Sequence, residues 1–484
     1  MSNNQLPSIL NVRPLPSVDT MKIDTAVLDP ITITQRQAVW QIPMNGILDG
    51  GSFVQIGLET AQGVTDAFLP VLTGIHACID SVFLKIGSKV VASNVDYGHF
   101  QTAVRQLETP EHRAYVDMIK SGTCCDRWGQ VGGLGRLAPR DLDYGTDQNV
   151  LAPDNGAATT PLFIKPTDNT ATTALFSIPL STLIPMMKSR QLPLFAIKES
   201  VYLEINFKTQ NNTALQIGEM CCFPAAPAGS TAIAISTVNT KFISDHLYYN
   251  DNSMAELQRQ IYSENGLQYL YEDQITTNAQ VPAFGAAGSQ PIMREIAVSG
   301  RTCRNIIISD KQSGYNHQLC GQYVSNCNIT NDEVNYRIND MRVFDRSLVS
   351  APMKHDQLTL VADRPLRCPN QLYSYDVDVD KTITPNAINQ NSLYIGTIEG
   401  HALPNAAGVT TNADFRGISH YDGLDLTTGD KNVLGNGIKI GVKPIQMQKT
   451  YTRTPGLLQA RDIRIFTNVE RVMSIVNGVV SVSA

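Results

Sequence analysis

The segment KFISDHLYYNDNSMAELQRQIYSENG, residues 241–266, joins a strand pattern directly to a helix pattern. Residues 241–249 are rich in the aromatic and β-branched side chains that favour strands. Ser253 and Glu256 then have the spacing of a capping box, which starts a helix. The apolar residues that follow share one helical face: Met254, Leu257 and Ile261. The segment therefore predicts a strand that runs into a short helix near the middle of the chain.

Strand patterns occupy the chain on both sides of this segment. Those before it lie at 31–42, 52–60, 77–87, 174–180 and 199–208. In the last of these, Val201, Leu203 and Ile205 alternate with polar residues, which indicates one buried and one wet face. Those after it lie at 267–276, 292–298, 304–310, 333–340, 373–380, 438–447 and 462–476. Helix patterns are few, at 97–107 and 110–120, so the sequence predicts an all-β protein.

The two β-rich halves are similar in size, and each holds enough strands for an eight-stranded jelly-roll barrel. We expect two such barrels in tandem, with long surface loops and a few short helices. The expected division is an N-terminal arm (1–29), a first jelly roll (30–250), a linker helix (251–264) and a second jelly roll (265–484). The long loops are expected at 122–170 and 380–436, which are rich in Gly, Asn and Thr.

The composition excludes several classes of protein. Charged residues make up 17% of the chain, below the ~25% usual for soluble domains, so uncharged polar residues must cover much of the surface. The net charge is −6, and only Arg13 and Lys22 are basic within residues 1–29. A protein that neutralises many phosphates needs a basic patch or arm, so we expect no genome-condensing arm and no sequence-specific nucleic-acid binding.

The chain shows no export pattern and no membrane-spanning pattern. Its first residues, MSNNQLPSIL, lack a basic region followed by a long apolar run, and no stretch of ~18 apolar residues occurs. The nine cysteines are an odd number, without a Cys-x-x-Cys pair, which is typical of reduced thiols. We therefore expect no transmembrane segment and a protein that is not secreted through the endoplasmic reticulum.

The motifs that suggest chemistry fail their own requirements. The glycine cluster at 129–135 lacks the strand, the helix and the Lys-Ser/Thr of a phosphate loop. Asp376, Asp378 and Asp380 resemble a calcium loop, but Lys381 stands where that loop needs glycine. The eight histidines have no metal-ligand spacing. We expect no enzyme activity, no catalytic residue, no metal ligand, no cofactor-binding residue and no cofactor.

Several segments together resemble the double jelly-roll major capsid proteins of eukaryotic DNA viruses. They are ISDHLYYNDNSMAELQRQ (243–260), SGRTCRNIIISDKQS (299–313), EVNYRINDMRVFDRSLVSAPMKHDQ (333–357) and DIRIFTNVERVMSIVNGVVSVSA (462–484). Residues 178–208 are most similar to the smaller members of that family, in polinton-like viruses and virophages. The resemblance covers most of 178–484 and is weaker before residue 178. The family has no catalytic residues to transfer.

This resemblance implies a major capsid protein. Its homotrimer would form a pseudo-hexagonal capsomer in an icosahedral virion shell around double-stranded DNA. The implied partners are the chain itself, neighbouring capsomers, and penton and minor or cement capsid proteins, with assembly inside the host cell. The long loops would form outer towers and intersubunit clasps, and the arm 1–29, rich in proline, would lie on the inner surface.

Two other classes stay open on the sequence. A secreted two-domain carbohydrate-binding or carbohydrate-active β-protein would show an export signal and either stacking aromatics or paired carboxylates on strands. Only Trp40 and Trp128 are present, and neither requirement is visible. A minor capsid or spike protein is the third class, and the tandem of two large halves argues against it.

Overall fold

The computed structural model describes most of both halves of the chain. The described residues are 20–60, 67–68, 74–108, 120–121, 162–164, 172–189, 191–208, 233–264, 266–283, 288–312, 332–349, 351–362, 421–429, 433–453 and 460–483. Most of the loops expected at 122–170 and 380–436 lies outside these residues. So do the strand expected at 373–380, nearly all of the helix expected at 110–120, and the motifs at 129–135 and 376–381.

The first half folds as two large antiparallel sheets and a separate two-stranded sheet. Its strands are β1 (Thr20–Leu28), β2 (Thr32–Ile33), β3 (Gln37–Ile42), β4 (Ile47–Leu48), β5 (Phe53–Thr60), β6 (Ala67–Phe68), β7 (Ile79–Ile86), β8 (Lys89–Val95), β9 (Leu162–Ile164), β10 (Thr172–Pro179), β11 (Val201–Phe207), β12 (Ile233–Ile235) and β13 (Lys241–Tyr249). Sheet 1 has the order β1-β13-β5-β10, and sheet 2 has the order β2-β3-β11-β7-β8. Strands β6 and β9 pair in the two-stranded sheet.

The second half also folds as two antiparallel sheets. Its strands are β14 (Leu267–Val281), β15 (Gly288–Ile296), β16 (Thr302–Gln312), β17 (Glu333–Ile338), β18 (Met341–Arg342), β19 (Tyr421–Asp425), β20 (Ile438–Lys439), β21 (Ile445–Arg453), β22 (Arg461–Val476) and β23 (Val479–Ser483). Sheet 3 has the order β14-β22-β16-β19, and sheet 4 has the order β15-β21-β17-β18.

The two halves share one strand order. In the first half the principal strands, in chain order, are β1, β3, β5, β7, β8, β10, β11 and β13; in the second they are β14 to β19, β21 and β22. In each half, one sheet contains the first, eighth, third and sixth principal strands in that spatial order. The other sheet contains the second, seventh, fourth and fifth. This is the order of a jelly roll, in which two packed sheets leave their loops at the ends. The all-β, double jelly-roll prediction is confirmed.

Five α-helices and two short 3-10 helices, Gly74–Cys78 and Leu194–Ala196, have their bounds among the described residues. The α-helices are α1 (Tyr97–Glu108), α2 (Leu180–Leu183), α3 (Met186–Ser189), α4 (Asp251–Ile261) and α5 (Ala351–Ala362). Helix α4 follows β13 after one residue, as the sequence predicts. Its cap differs, because the Asn250 side chain accepts the Ser253 N–H at 2.8 Å. The helix therefore begins two residues before the expected capping box at Ser253 and Glu256.

Each half has its own apolar core. Val201, Leu203 and Ile205 of β11 are buried in the first core, as their alternation predicts. Trp40 of β3 lies in the same core and is fully buried. The second core includes Ile306 of β16 and Tyr336 of β17. Burying such side chains stabilises each half by about 1.5–3 kcal/mol per large residue.

Two strand predictions need correction. The arm expected at 1–29 is wrong for Thr20–Leu28, which form β1 and pair with β13 along its length. No proline lies between Pro16 and Pro30, so the backbone there can donate to a neighbouring strand. The strand expected at 438–447 is two strands, β20 and β21, because Gly441 and Pro444 interrupt the ladder.

Candidate functional site: the junction between the two barrels

The junction exists because β14 and β22 are long. They have 15 and 16 residues, against a usual strand length of ~5–6. Successive side chains alternate between faces, so the odd-numbered residues of β22 share one face. Ile465 and Val469 on that face lie in the second core, whereas Met473 and Ile475 lie in the first core. One continuous strand therefore contributes to the cores of both barrels.

The edge of β8 is closed by side chains of β14. The Tyr271 hydroxyl donates to the Val91 carbonyl oxygen at 2.6 Å, and the Thr276 hydroxyl donates to the Val95 carbonyl oxygen at 2.9 Å. Between them, the Ser93 N–H donates to Asp273 Oδ1 at 3.1 Å. An edge strand leaves backbone groups unpaired, and here the other barrel satisfies them. The two barrels thus meet at an edge that side chains cap.

A partly buried ion pair supports this edge. Arg471 Nη1 lies 2.8 Å from Asp273 Oδ2 and 3.5 Å from the Val91 oxygen. Burial raises the pKa of the Asp273 carboxyl, and its hydrogen bond with Arg471 opposes that rise. At the far end of β14, the Asn278 amide donates to Asp96 Oδ2 at 3.0 Å. Both ends of the contact between β8 and β14 are therefore tied by polar groups.

The last turn of the chain also joins the barrels. Asn477 and Gly478 connect β22 to β23 with φ values of 52° and 85°, which suit a tight hairpin. The Gly478 carbonyl oxygen accepts the Lys198 N–H at 3.0 Å, and a Cβ on Gly478 would lie 2.5 Å from the Lys198 side chain. Only glycine allows this approach at that φ. The Val480 oxygen of β23 accepts from Lys89 Nζ at 2.8 Å.

A second apolar contact lies on the outer face of sheet 3. Phe100 and Ala103 of α1, from the first half, pack there with residues of the second half. The ring centroids of Phe100 and Phe466 are 5.5 Å apart. Helix α5 completes this cluster through Leu358 and Val361. The outer face of sheet 3 is therefore covered by helices from both halves.

A buried network of charges lies within the second barrel. Lys449 Nζ is 2.6 Å from Asp310 Oδ2 and 2.7 Å from Asp422 Oδ2, and Arg461 Nε is 2.6 Å from Asp310 Oδ1. The Tyr451 hydroxyl donates to Asp310 Oδ2 at 2.8 Å. Burial alone would raise the pKa of Asp310, but the nearby Arg461 and Lys449 outweigh it and lower that pKa to about 2.

This network sits where long connections enter and leave the barrel. Asp310 is near the end of β16, whose next described residue is Asp332. Asp422 and Arg461 lie at the starts of β19 and β22, just after residues 401–420 and 454–459. The Lys354 ammonium of α5 donates to the carbonyl oxygen of Asp332, the first described residue after β16. We interpret the network as the anchor of these connections.

Two of the described histidines, His76 and His246, make hydrogen bonds that serve the fold. His76 Nδ1 lies 2.8 Å from the Tyr97 hydroxyl, and both residues are buried. The ring of His246 lies 3.0 Å from the Ser244 hydroxyl and 2.9 Å from the Asn45 oxygen. Within the described residues no group of three or more His, Cys, Asp or Glu side chains could hold a metal ion. No helix among them is long and apolar enough to cross a membrane.

One cleft lies beside the linker helix. Its volume is about 640 Å³, and Tyr249, Leu257 and Tyr269 are among its lining residues. Its polar groups engage one another, since the Tyr249 hydroxyl donates to Gln191 Oε1 at 2.8 Å and Gln191 Nε2 donates to Asp49 Oδ1 at 3.0 Å. This arrangement does not present the paired free carboxylates that glycoside cleavage needs.

Sequence reasoning missed both the junction and the charge network. Tyr271, Asp273 and Arg471 occur in patterns that predict only strands, and nothing local marks them as partners of β8. The alternation of charged and apolar residues in 462–476 was a signal that β22 is long. The positions of Asp310 and Arg461 close to the ends of β16 and β22 were a second signal, because charges are rare in a barrel interior.

The fold is that of known viral structures. PBCV-1 VP54, as fitted into a cryo-EM reconstruction of the virophage Sputnik, matches with a TM-score of 0.56 and 8% identity, over 98% of this chain and 99% of that chain. A quasi-atomic model of the PBCV-1 virus capsid matches with a TM-score of 0.55 and 10% identity, over 98% of this chain and 99% of that chain. The Sputnik virophage structure matches with a TM-score of 0.53 and 12% identity, over 100% of this chain and 93% of that chain. No protein-family model and no curated protein matches the chain.

Proposed function

We propose that this chain, which has the double jelly-roll fold, is the major capsid protein of a double-stranded DNA virus. One observation carries the proposal: two jelly rolls with the same strand order occur in one chain, and nearly all of that chain aligns with the PBCV-1 virus capsid structure. A shared fold alone does not assign a function, so the geometry has to suit the role.

The geometry suits a hexagonal lattice. Two barrels tied rigidly by β14, β22 and the α1 contact form one unit with two similar lobes. Three such units around a threefold axis place six lobes in a ring, and closed cyclic assemblies are common for soluble oligomers. A homotrimer of this kind fills a position of sixfold symmetry in an icosahedral shell. Its jelly-roll ends would present the long loops to one side of the shell.

The remaining parts of the proposal follow from this role. The chain would bind itself, neighbouring capsomers, and penton and minor or cement proteins, and it would reside in the virion after assembly inside the host cell. We propose the boundaries 251–264 for the linker helix and 265–484 for the second jelly roll. The first jelly roll would run from Thr20 to residue 250, because β1 begins at Thr20 and is one of its strands. Residues 1–19 would lie on the inner surface of the shell.

Two measurements on the purified full-length chain test the proposal. Light scattering should give the mass of a trimer at micromolar concentration, because obligate interfaces bury ~2,000–5,000 Å² and hold their subunits together at that dilution. Negative-stain microscopy should show hexagonal particles with a threefold axis. A monomer mass with discrete two-lobed particles would contradict the proposal.

A further inference from the structure

Within one chain, the junction brings one particular strand of the first barrel against one particular strand of the second. Strand β8 is the fifth principal strand of the first barrel, and β14 is the first principal strand of the second. Their contacts run in the same direction along both strands, from Val91 with Tyr271 to Val95 with Thr276. The junction is therefore a contact of a fifth strand with a first strand.

The same two kinds of strand are left open at the other ends of the chain. Strand β1 is the first strand of the first barrel, and among the described residues only β13 pairs with it. Strand β18 is the fifth strand of the second barrel, and among those residues only β17 pairs with it. Within the part of the chain that the structure describes, each is thus an edge strand, and an edge strand can pair with a further strand.

Both open edges expose large apolar side chains. On β1, Ile23 is 61% exposed and Val27 is 60% exposed, and they lie on one face of the strand. At β18, Met341 is 71% exposed, and Val343, which follows the strand, is 37% exposed. Clustered apolar residues on an edge strand are an aggregation hazard for a monomer, and they are usual in an interface.

Charges of opposite sign accompany these residues. Asp24 is exposed on β1, and Arg342 is exposed on β18. The ion pair of Asp24 with Lys22 is itself exposed, with 51% and 64% of the two side chains accessible, so it holds Asp24 only weakly. Each edge therefore carries an exposed base and an exposed acid, Lys22 and Asp24 on β1 and Arg342 and Asp340 at β18, which can pair across the contact.

We propose that β18 of one copy docks against β1 of the next copy and repeats between chains the contact that β8 and β14 make within the chain. The inference rests on the proposed trimer and names the surfaces that would build it. The contact is head-to-tail, because β18 and β1 are different surfaces of the same chain. Such a contact closes when the rotation between copies is one third of a turn, and the ring then holds six barrels joined by two kinds of similar junction.

Charge substitutions at the two edges test this docking. Val27→Asp and Met341→Asp each place an unpaired carboxylate in the contact, so each should raise the trimer dissociation constant by about a hundredfold or more. Val238→Asp is the matched control, since Val238 is 73% exposed in the turn before β13 and belongs to neither edge strand. It should leave the trimer intact. Circular dichroism should show native strands in all three variants.

Cross-linking of the wild-type chain supplies a second readout that needs no substitution. Lys22 lies on β1, and Lys443 lies beside the turn before β18, where it pairs with Asp340. A lysine-reactive reagent should link Lys22 to Lys443 in the trimer, and the link should disappear when Val27→Asp yields monomers. If the wild type is a trimer yet both edge variants remain trimers and this link is absent, the docking is wrong while the proposed function stands. If the wild type is a monomer, the proposed function itself fails.

Discussion

Asp310 shows how much of the second barrel depends on single charged residues. Its carboxylate is fully buried and contacts Lys449, Arg461 and the Tyr451 hydroxyl. Taking ions out of water costs several kcal/mol each, and only close partners offset that cost. The network offsets it because two acids, Asp310 and Asp422, balance two bases. Removing one member leaves the others without compensation.

Replacing Asp310 with Asn should destabilise the protein strongly. The change removes the carboxylate that both Lys449 and Arg461 contact, and breaking a buried pair in this way costs about 3–5 kcal/mol. Denaturant unfolding followed by circular dichroism measures the difference. The matched control is Asp340→Asn, whose ion pair with Lys443 is exposed and should contribute less than about 1 kcal/mol. Equal losses in the two variants would contradict the role assigned to the network.

The same network should make the protein sensitive to acid. Burial raises the pKa of Asp310, but Arg461 and Lys449 lower it to about 2, below the ~3.9 of an unfolded chain. A depressed carboxyl pKa stabilises the fold above the unfolded value, and this stabilisation is lost as pH falls towards the folded value. The free energy of unfolding should therefore fall between about pH 4 and pH 2. In Asp310→Asn this part of the pH dependence should vanish. If the free energy of unfolding fell as steeply with pH as in the wild type, groups other than Asp310 would be responsible.

At the scale of elements, strand edges decide how the barrels combine. Strand β8 would be an open edge if the first barrel stood alone, and three side chains of β14 close it. Side-chain capping stops the sheet from growing and still holds the second barrel beside the first. The longest strands, β14 and β22, are the elements that make this possible, because they extend beyond the core of their own barrel.

Removing one capping hydroxyl should loosen the junction measurably. Tyr271→Phe keeps the buried ring but leaves the Val91 carbonyl with only the long contact from Arg471, at 3.5 Å. An unsatisfied buried acceptor costs about 1–3 kcal/mol, and the loss should appear in thermal unfolding and in faster amide exchange of β8. Tyr262→Phe is the control, because Tyr262 is 65% exposed. Exchange of β8 at the wild-type rate in Tyr271→Phe would refute the capping role.

Truncation separates strand β1 from the residues before it. Deleting residues 1–19 leaves β1 intact, so the trimer should form, while assembly of shells should weaken if that segment binds neighbours on the inner surface. Deleting residues 1–28 removes β1 and exposes the edge of β13, so the trimer should be lost. Size-exclusion chromatography and electron microscopy of both proteins measure these outcomes. Shells that assemble equally well without residues 1–19 would remove the role proposed for them.

At the scale of the whole molecule, the two barrels are joined by shared packing. Their cores share β14 and β22, and α1 of the first half packs on sheet 3 of the second. A shell subunit has to transmit load between neighbours without hinging, and a shared core resists hinging better than a flexible linker does. Helix α4 is therefore a connection rather than the element that holds the barrels together.

The whole molecule is also expected to work without a cofactor. Elemental analysis of the purified trimer should find no transition metal in stoichiometric amount, since its stability would come from buried apolar surface and from the ion network. A tightly bound metal at one equivalent per chain would require a site formed by residues outside those the structure describes.

Local patterns were enough to predict many of the elements. The alternation in 199–208 predicts β11 with its buried face, and the pattern in 241–266 predicts β13 and α4. Strand β1 was not predicted, because Ile23 and Val27 are both exposed and the flanking prolines suggested an arm. Its partner, β13, lies more than 200 residues away in the chain, so only the pairing identifies it.

The sequence by itself therefore determined the all-β class and the number of barrels, because strand and helix periodicity depends on near neighbours. The tertiary structure alone decided the strand order, the capping of β8 by Tyr271 and Asp273, and the meeting of Asp310 with Lys449 and Arg461. These contacts join residues that are about 140 to 180 positions apart. Which distant strands become neighbours depends on how two whole sheets pack, and no local pattern encodes that choice.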